Sequence, residues 1–386
     1  MNFVFLSPHF PPNYVNFSKQ LRLAGVNVLG LADEPYHQLS PELVAALTEY
    51  YYVHNAHNYD ELLRALGYFT HRYGKIDRLD SLNEYWLETE AALRTDFNIP
   101  GIKNDQIQRI KRKSLMKETF KKANVPVAAG KVVRTLPEAR RLIKQIGYPV
   151  VAKPDIGVGA AKTYKLHNDQ ELVSFFEQKP DVDYLVEQFI AGTILTFDGL
   201  TDLDGNLVFY NSLQYSQGIM ETVNNDDQIY YFTLREIPAR LEEIGRKVLK
   251  AFDVKERFFH FEFFRTADDE FIALEVNMRP PGGLTTDMFN YANDIDIYAE
   301  WAHLIAHRRF VAVATRPYHC CYIGRKDHKS YKVSHEEIVH ALGDKLCYHT
   351  PISGVFSAAL GNYGYLVRSP YFEEIQEMAN FIQALS

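Results

Sequence analysis

The chain has 386 residues, 46% of them hydrophobic and 24% charged, with a formal net charge of −7 at pH 7. That length exceeds one simple core and predicts two or three domains of ordinary globular composition. The negative charge argues against a general nucleic-acid binder, Cys320, Cys321 and Cys347 form neither a disulfide framework nor a zinc pattern, and no apolar run is long enough to span a bilayer.

Residues 2–6 read as a first strand that stops at Pro8, Pro11 and Pro12, too short for a signal peptide. With so few cysteines, a reducing, cytoplasmic setting is expected. Asn16 to Ala24 predicts a helix stopped by Gly25, and Val26 to Leu31 a second strand. A helix over 58–72, a short strand from Arg78 to Leu82 and a helix from Glu84 to Arg94 follow. This alternation predicts a parallel sheet with helices on both faces. Its first turn, Ser7-Pro8-His9-Phe10-Pro11-Pro12, lacks a G-x-G-x-x-G element, so no dinucleotide site is expected there.

Asp105 to Ala123 predicts one helix ending before Pro126. Its basic cluster (Lys111, Arg112, Lys113, Lys117, Lys121, Lys122) reads as a solvated face, Lys113 excepted. Val132 to Arg134 is extended and Pro137 to Ile146 helical, with Gly147 at the end. Residues 148–154 and 162–166 read as strands and Asp169 to Phe176 as a helix. Strands follow over 183–188, 194–203 and 207–214, with Asp204-Gly205 a hairpin turn. Helices are predicted from Ile237 to Phe252 and from Asp296 to His307. Beyond Val311 the pattern weakens into short strands and a last helix, Phe372 to Leu385.

The most informative stretch is a hairpin, 258–264 and 271–279, with an acid in each apolar strand. A carboxylate among phenylalanines is costly to bury without a cation or donors. Glu275, Asn277 and Arg279 alternate onto one strand face, and Glu262 lies within hairpin reach. Carboxylate and amide oxygens suit Mg²⁺, and a guanidinium beside them suits phosphoryl transfer. The same residues also read as a solvated hairpin face. His260 shares the face of Glu262 and reads as an acid, a base or a packed histidine. Lys153 ends an apolar strand and precedes Gly157, Gly159 and Ala160, small residues that let backbone N–H groups approach a phosphate or simply make a turn. Glu187, Gln188, Phe189 and Ile190 run from a strand into a loop, an edge for an adenine or a plain strand end.

Taken in order, these elements resemble the ATP-grasp superfamily, in its carboxylate–amine (amino-acid) ligase type. Lys113, on the helix that precedes Ala123-Asn124-Val125-Pro126-Val127, looks like the first nucleotide-contacting lysine. Gly147-Tyr148-Pro149-Val150-Val151-Ala152-Lys153-Pro154 looks like the strand of the second, with the glycine loop after it. Glu187-Gln188-Phe189-Ile190 looks like the adenine hinge, Glu262, Glu275 and Asn277 like the metal ligands, and Arg279-Pro280-Pro281-Gly282-Gly283 like the basic continuation.

The resemblance implies an α/β and α+β chain. A pre-ATP-grasp parallel α/β domain over 1–104 precedes a two-lobed ATP-grasp fold over 105–310, with small lobe and lid at about 125–190 and large lobe at about 191–310. A C-terminal subdomain over 311–386 acts as a cap. The implied cofactors are ATP and Mg²⁺, with Mn²⁺ as an alternative and two ions. The implied activity is an ADP-forming ligase that joins a carboxylate to an amine. A purine-pathway ligase, a bicarbonate-using carboxylase component and a non-catalytic nucleotide-binding regulator stay open. The expected partners are a small-molecule carboxylate and an amine, with a homodimer allowed for and neither nucleic acid nor membrane. Arg279 would bind the transferred phosphoryl group or the carboxylate, with His260 beside it. Lid candidates are the 157–161 loop and the 215–233 segment. Asp287 and Asp294 are placed to meet a substrate amine, because their loop should line the acceptor side.

Two departures from the family pattern stand out. The acid expected seven residues after the hinge Glu is Ile194, and Asp198 is the nearest substitute for holding the ribose. No lysine or arginine occurs from Gly199 to Leu234 to reach the γ-phosphate; Arg235 is the first cation after that stretch.

Overall fold

Strand β1 (Asn2–Leu6) is buried throughout, as a strand covered on both faces must be. It pairs in parallel with β2 (Asn27–Ala32) and β4 (Arg78–Asp80), and β2 pairs with β3 (Glu49–Tyr52), giving the order β3-β2-β1-β4. β3 and the helix Pro41–Ala46 were not expected from the sequence. The structure, a computed structural model, describes residues 1–157, 162–218, 222–223 and 225–386.

The helix predicted over 105–123 is two helices, Asn104–Lys111 and Lys113–Lys122, separated at Arg112, which is extended (φ −91°, ψ 117°). The second helix is capped from far along the chain. Asp155 accepts the Ser114 amide through Oδ1 (2.8 Å) and the Ser114 hydroxyl through Oδ2 (3.0 Å), and its carbonyl accepts the Lys113 amide (2.9 Å). A carboxylate at a helix N-terminus satisfies orphan amides and complements the dipole. No local sequence signal marks a cap delivered across about forty residues.

The small lobe is an antiparallel sheet in the order β5 (Gly130–Val133), β8 (Tyr184–Gln188), β6 (Val150–Pro154) and β7 (Tyr164–Leu166). The helices Leu136–Ile146 and Asp169–Gln178 start at side-chain caps from Thr135 and Asn168. They bury Ala139, Leu142, Leu172 and Phe175 against this lobe's core.

A second antiparallel sheet of nine strands carries the large lobe. β9 (Thr193–Thr201) pairs with β10 (Leu207–Asn211), β11 (Leu213–Tyr215) and β13 (Phe258–Arg265). β12 (Tyr230–Thr233) joins β11, and β14 (Phe271–Asn277) joins β13. From β12 the sheet runs on through β15 (His319–Arg325) and β17 (Tyr363–Ser369) to β16 (Leu346–Pro351). Two expectations change here. A boundary at 310/311 would cut one continuous sheet, because β15 pairs directly with β12. Tyr230–Thr233, inside the 215–233 lid candidate, is a mostly buried strand of that sheet. The remaining stretch, 216–229, includes residues 219–221 and 224, outside the described set, as are residues 158–161 of the other candidate.

A buried ionic cluster joins the N-terminal domain to the hairpin. Arg257 Nη1 donates to Asp80 Oδ2 (2.7 Å), Arg257 Nε to the Met278 carbonyl (2.5 Å) and Arg94 Nη2 to Glu90 Oε2 (2.8 Å). Breaking one arm would strand a buried charge. The Arg257 bond to Met278 fixes where β14 ends, and so where Arg279 begins.

Candidate active site

Between the small-lobe sheet and the β13–β14 hairpin lies a cavity of about 270 Å³. Its lining includes Lys113, Lys153, Gly157, Glu187, Gln188, Phe189, Ile190, Glu262, Glu275, Asn277 and Arg279, residues spread over more than 160 positions of sequence. Gly159 and Ala160 lie outside the described residues.

At the polar end, Glu262 and Glu275 are directly opposed across β13–β14, as are His260 and Asn277. Facing carboxylates repel, and here each has its own cation. Lys113 Nζ is 3.2 Å from Glu275 Oε1, and His260 Nε2 is 3.0 Å from Glu262 Oε1. A register shift after Glu262 leaves Leu274 unpaired between Ala273 and Glu275. Such a bulge breaks alternation, so Leu274 and Glu275 both line the cavity although they are neighbours in sequence.

Burial alone would lower the His260 pKa, but Asp198 and Glu262 outweigh it and raise it to about 9. Both ring nitrogens face carboxylate oxygens, with Nδ1 2.6 Å from Asp198 Oδ1, and only an imidazolium donates to both. Burial would raise Glu262, but the hydrogen bond and charge of His260, then Arg279 and Lys153, hold it below the usual carboxylate range.

Two sequence expectations are corrected here. His260 is buried and does not line the cavity, so it positions Glu262 rather than meeting substrate. Asp198 is wholly buried beneath it, with Oδ1 facing His260 and Oδ2 accepting from the Thr196 hydroxyl (2.5 Å). It is not among the residues that line the cavity.

Glu187 points at lysines. Lys153 Nζ is 2.7 Å from Oε1 and Lys117 Nζ 2.5 Å from Oε2. Burial pushes Glu187 up, but the two lysines prevail and hold it low. Burial pushes Lys153 down, and Glu187, Glu275 and Glu262 prevail in raising it. Lys117 was read as a solvated residue. It is buried, also donates to the Ala128 carbonyl (2.8 Å), and is pushed down by burial against the pull of Glu187. Its i, i+4 spacing from Lys113 was the available signal. Lys165, also missed, holds its ammonium 3.6 Å from the Phe189 ring centre, a cation–π contact.

The opposite end is apolar, walled by Ala128, Val151, Phe189, Ile194, Phe264 and Leu274. Ile194, where an acid was expected, is part of this wall. Arg279 lines the polar end, with Nε 3.7 Å from Glu84 Oε2. Glu84 is held in turn by Lys111 (2.9 Å).

Two opposed carboxylates and one amide oxygen form a hard, all-oxygen donor set, which suits Mg²⁺ with phosphate oxygens and water completing the shell. Among the described residues no group of three or more His, Cys, Asp or Glu side chains is placed to hold a metal ion. No described helix is long and apolar enough to cross a membrane.

The family model of the ATP-grasp domain matches residues 146–287. The chain is 21% identical over 252 residues to an L-arginine-specific L-amino acid ligase of Bacillus subtilis, a match covering 61% of this chain and 59% of that protein. It is 26% identical over 204 residues to a carbamoyl phosphate synthase large chain of Agathobacter rectalis, covering 50% of this chain and 18% of that one. The chain therefore spans less than two thirds of the length of these curated relatives. An L-amino acid ligase from Bacillus licheniformis superposes with a TM-score of 0.77 at 14% identity, over 98% of this chain and 96% of that one. The fold is that of ATP-grasp enzymes.

Proposed function

With an ATP-grasp domain at residues 146–287 as the premise, we propose that this chain is an ATP-dependent ligase that activates a substrate carboxylate as an acyl phosphate for attack by an amine. The products are an amide or peptide bond, ADP and phosphate. One observation carries this reading: Lys113, Lys153 and Arg279 meet Glu262, Glu275 and Asn277 at one end of a single cavity whose other end is an apolar slot beside the hinge.

Adenine lies in that slot. The Gln188 and Phe189 amides are already spent on the Ala129 and Pro149 carbonyls (2.8 and 3.2 Å), so its edge is met from Ile190 onward. Lys113 and Lys153 hold the α- and β-phosphates, exchanging the Glu275 and Glu187 carboxylates for phosphate oxygens. Glu262, Glu275 and Asn277 would hold Mg²⁺, or Mn²⁺, as two ions, and these would supply charge neutralisation at the phosphates. Asp198 and His260 keep Glu262 ionised and aimed.

Arg279 binds the transferred phosphoryl group or the carboxylate beside it. A carboxylate oxygen attacks the γ-phosphorus, and the bond to the β,γ-bridging oxygen breaks with its electrons leaving on ADP. The amine nitrogen then attacks the acyl carbon, the carbon–oxygen bond to phosphate breaks, and the nitrogen's proton passes to phosphate or solvent. The chain's part is positioning and charge neutralisation.

A screen of amino-acid pairs for ADP and phosphate release tests this. Release that needs both a carboxylate and an amine is expected. AMP and pyrophosphate as products would overturn it, and bicarbonate-stimulated turnover without any amino acid would assign the chain to carboxylase-type chemistry.

A further inference from the structure

Apart from Asp287, each mostly buried carboxylate described above faces a cation. Glu187 has Lys153, Glu275 has Lys113, Glu262 and Asp198 share His260, Glu84 has Lys111, Asp155 has Arg112 and Glu90 has Arg94. Asp287 breaks this pattern, since no described cation lies within salt-bridge distance of it. It sits in the first turn of the helix Thr285–Asn293, just past the Arg279–Leu284 loop.

Its partners are neutral. Asn13 donates to Oδ2 (3.1 Å) and the Tyr298 hydroxyl to Oδ1 (2.9 Å). Asn13 also donates to the Gly283 carbonyl (3.2 Å), which ties the substrate-side loop to the N-terminal domain. An ionised carboxylate accepts about four hydrogen bonds, so Asp287 has acceptor capacity to spare and retains some exposure. Burial raises its pKa to about 6, the state of a carboxylate that lacks a counter-ion.

Arg279 is near. The buried Tyr14 hydroxyl, raised first by burial, feels both the lowering charge of Arg279 and the raising charge of Asp287. Tyr231, whose hydroxyl is 3.4 Å from Thr285 Oγ1, feels Asp287 as well. A guanidinium lining the cavity before the 280–284 loop, and after it a carboxylate with no cation among the described residues, match the two charges of an amino-acid zwitterion.

We propose that Asp287, held by Asn13 and Tyr298, receives the ammonium group of an amino-acid substrate whose carboxylate faces Arg279, and so selects amino acids over simple carboxylates. This rests on the ligase reading above. The missing counter-ion is the substrate's own ammonium.

The test compares wild type, Asp287→Asn and Tyr298→Phe in phosphate release at saturating Mg·ATP, using each accepted amino acid and its des-amino carboxylate. For Asp287→Asn the amino-acid KM should rise about 30-fold or more, the ATP KM should stay within about twofold, and the preference over the des-amino analogue should disappear. Tyr298→Phe, which removes one donor and keeps the carboxylate, should give a smaller KM rise in the same direction and serves if the first variant does not fold. A purely structural role would not erase the amino/des-amino preference. An unchanged amino-acid KM in either folded variant, or equal wild-type use of both analogues, overturns the Asp287 assignment alone. Wild-type enzyme that shows no amino-acid-dependent release at all overturns the ligase reading beneath it.

Discussion

Lys117 Nζ lies 2.5 Å from Glu187 Oε2, while Lys153 holds the other oxygen of the same carboxylate. Glu187 is thus a shared counter-ion, and Lys117 determines how tightly it can hold Lys153. Lys117→Ala should leave Glu187 leaning on Lys153 alone, with weaker ATP binding and a stability loss on the order of 1–3 kcal/mol. Calorimetric ATP titration and thermal unfolding check this; an unchanged ATP affinity would show that the two lysines are not coupled through Glu187.

Lys153→Ala should remove a charge-assisted phosphate contact worth about 1.5–3 kcal/mol, or roughly 10- to 150-fold in ATP Kd. The fold should persist, because Lys117 stays on Glu187. Equal ATP affinity in mutant and wild type would reject the role.

Glu275→Gln keeps the shape of the side chain and removes one of two opposed carboxylates. ATP turnover should fall on the order of 100-fold or more. ATP binding measured in excess chelator should hold or tighten, since Lys113 loses its carboxylate partner. Turnover and metal dependence equal to wild type would remove Glu275 from the metal set.

Asp287 carries a pH signature in the unliganded protein. Its folded pKa, raised by burial to about 6 against an ordinary 3.8, means the folded state takes up the proton first as pH falls. The stability linked to it is present below about pH 4 and lost as pH rises through about 6. The groups around it are the donors Asn13 and Tyr298, the charge of Asp296, and Tyr14 with Arg279 beyond it. Wild type should therefore gain on the order of 1–3 kcal/mol between pH 7 and 4 from this group, and Asp287→Asn should lack that gain. Parallel unfolding curves for the two proteins across that range would remove the buried, unpaired carboxylate.

The element order was legible because periodicity and turn chemistry are local. The alternating hydrophobic segments of residues 1–94, the Asp204-Gly205 turn, where Gly205 takes φ +83°, and the 258–277 hairpin follow from neighbouring residues. Residue type and order also singled out Lys113, Lys153, Glu187, Glu262, Glu275, Asn277 and Arg279, and one cavity gathers them. Lys117 and Asp198 were misread for one reason. Which face of a helix or strand is wet depends on what packs against it. Tyr230–Thr233, within the 215–233 lid candidate, was misread likewise, because the partner that buries it, β15, lies about ninety residues away.

The sequence by itself determined the kinds of chemistry available: two lysines, an acidic hairpin with an amide, a guanidinium after it and an apolar hinge. Tertiary structure alone decided how those charges are paired. Asp155 starts the helix that aims Lys113, and Arg257 sets the end of β14. Asp198 keeps His260 cationic under Glu262, and Asp287 is left without a counter-ion among the described residues. Charge pairing acts over a few ångströms of space and is indifferent to distance along the chain, so only the folded molecule shows which carboxylate still lacks a cation.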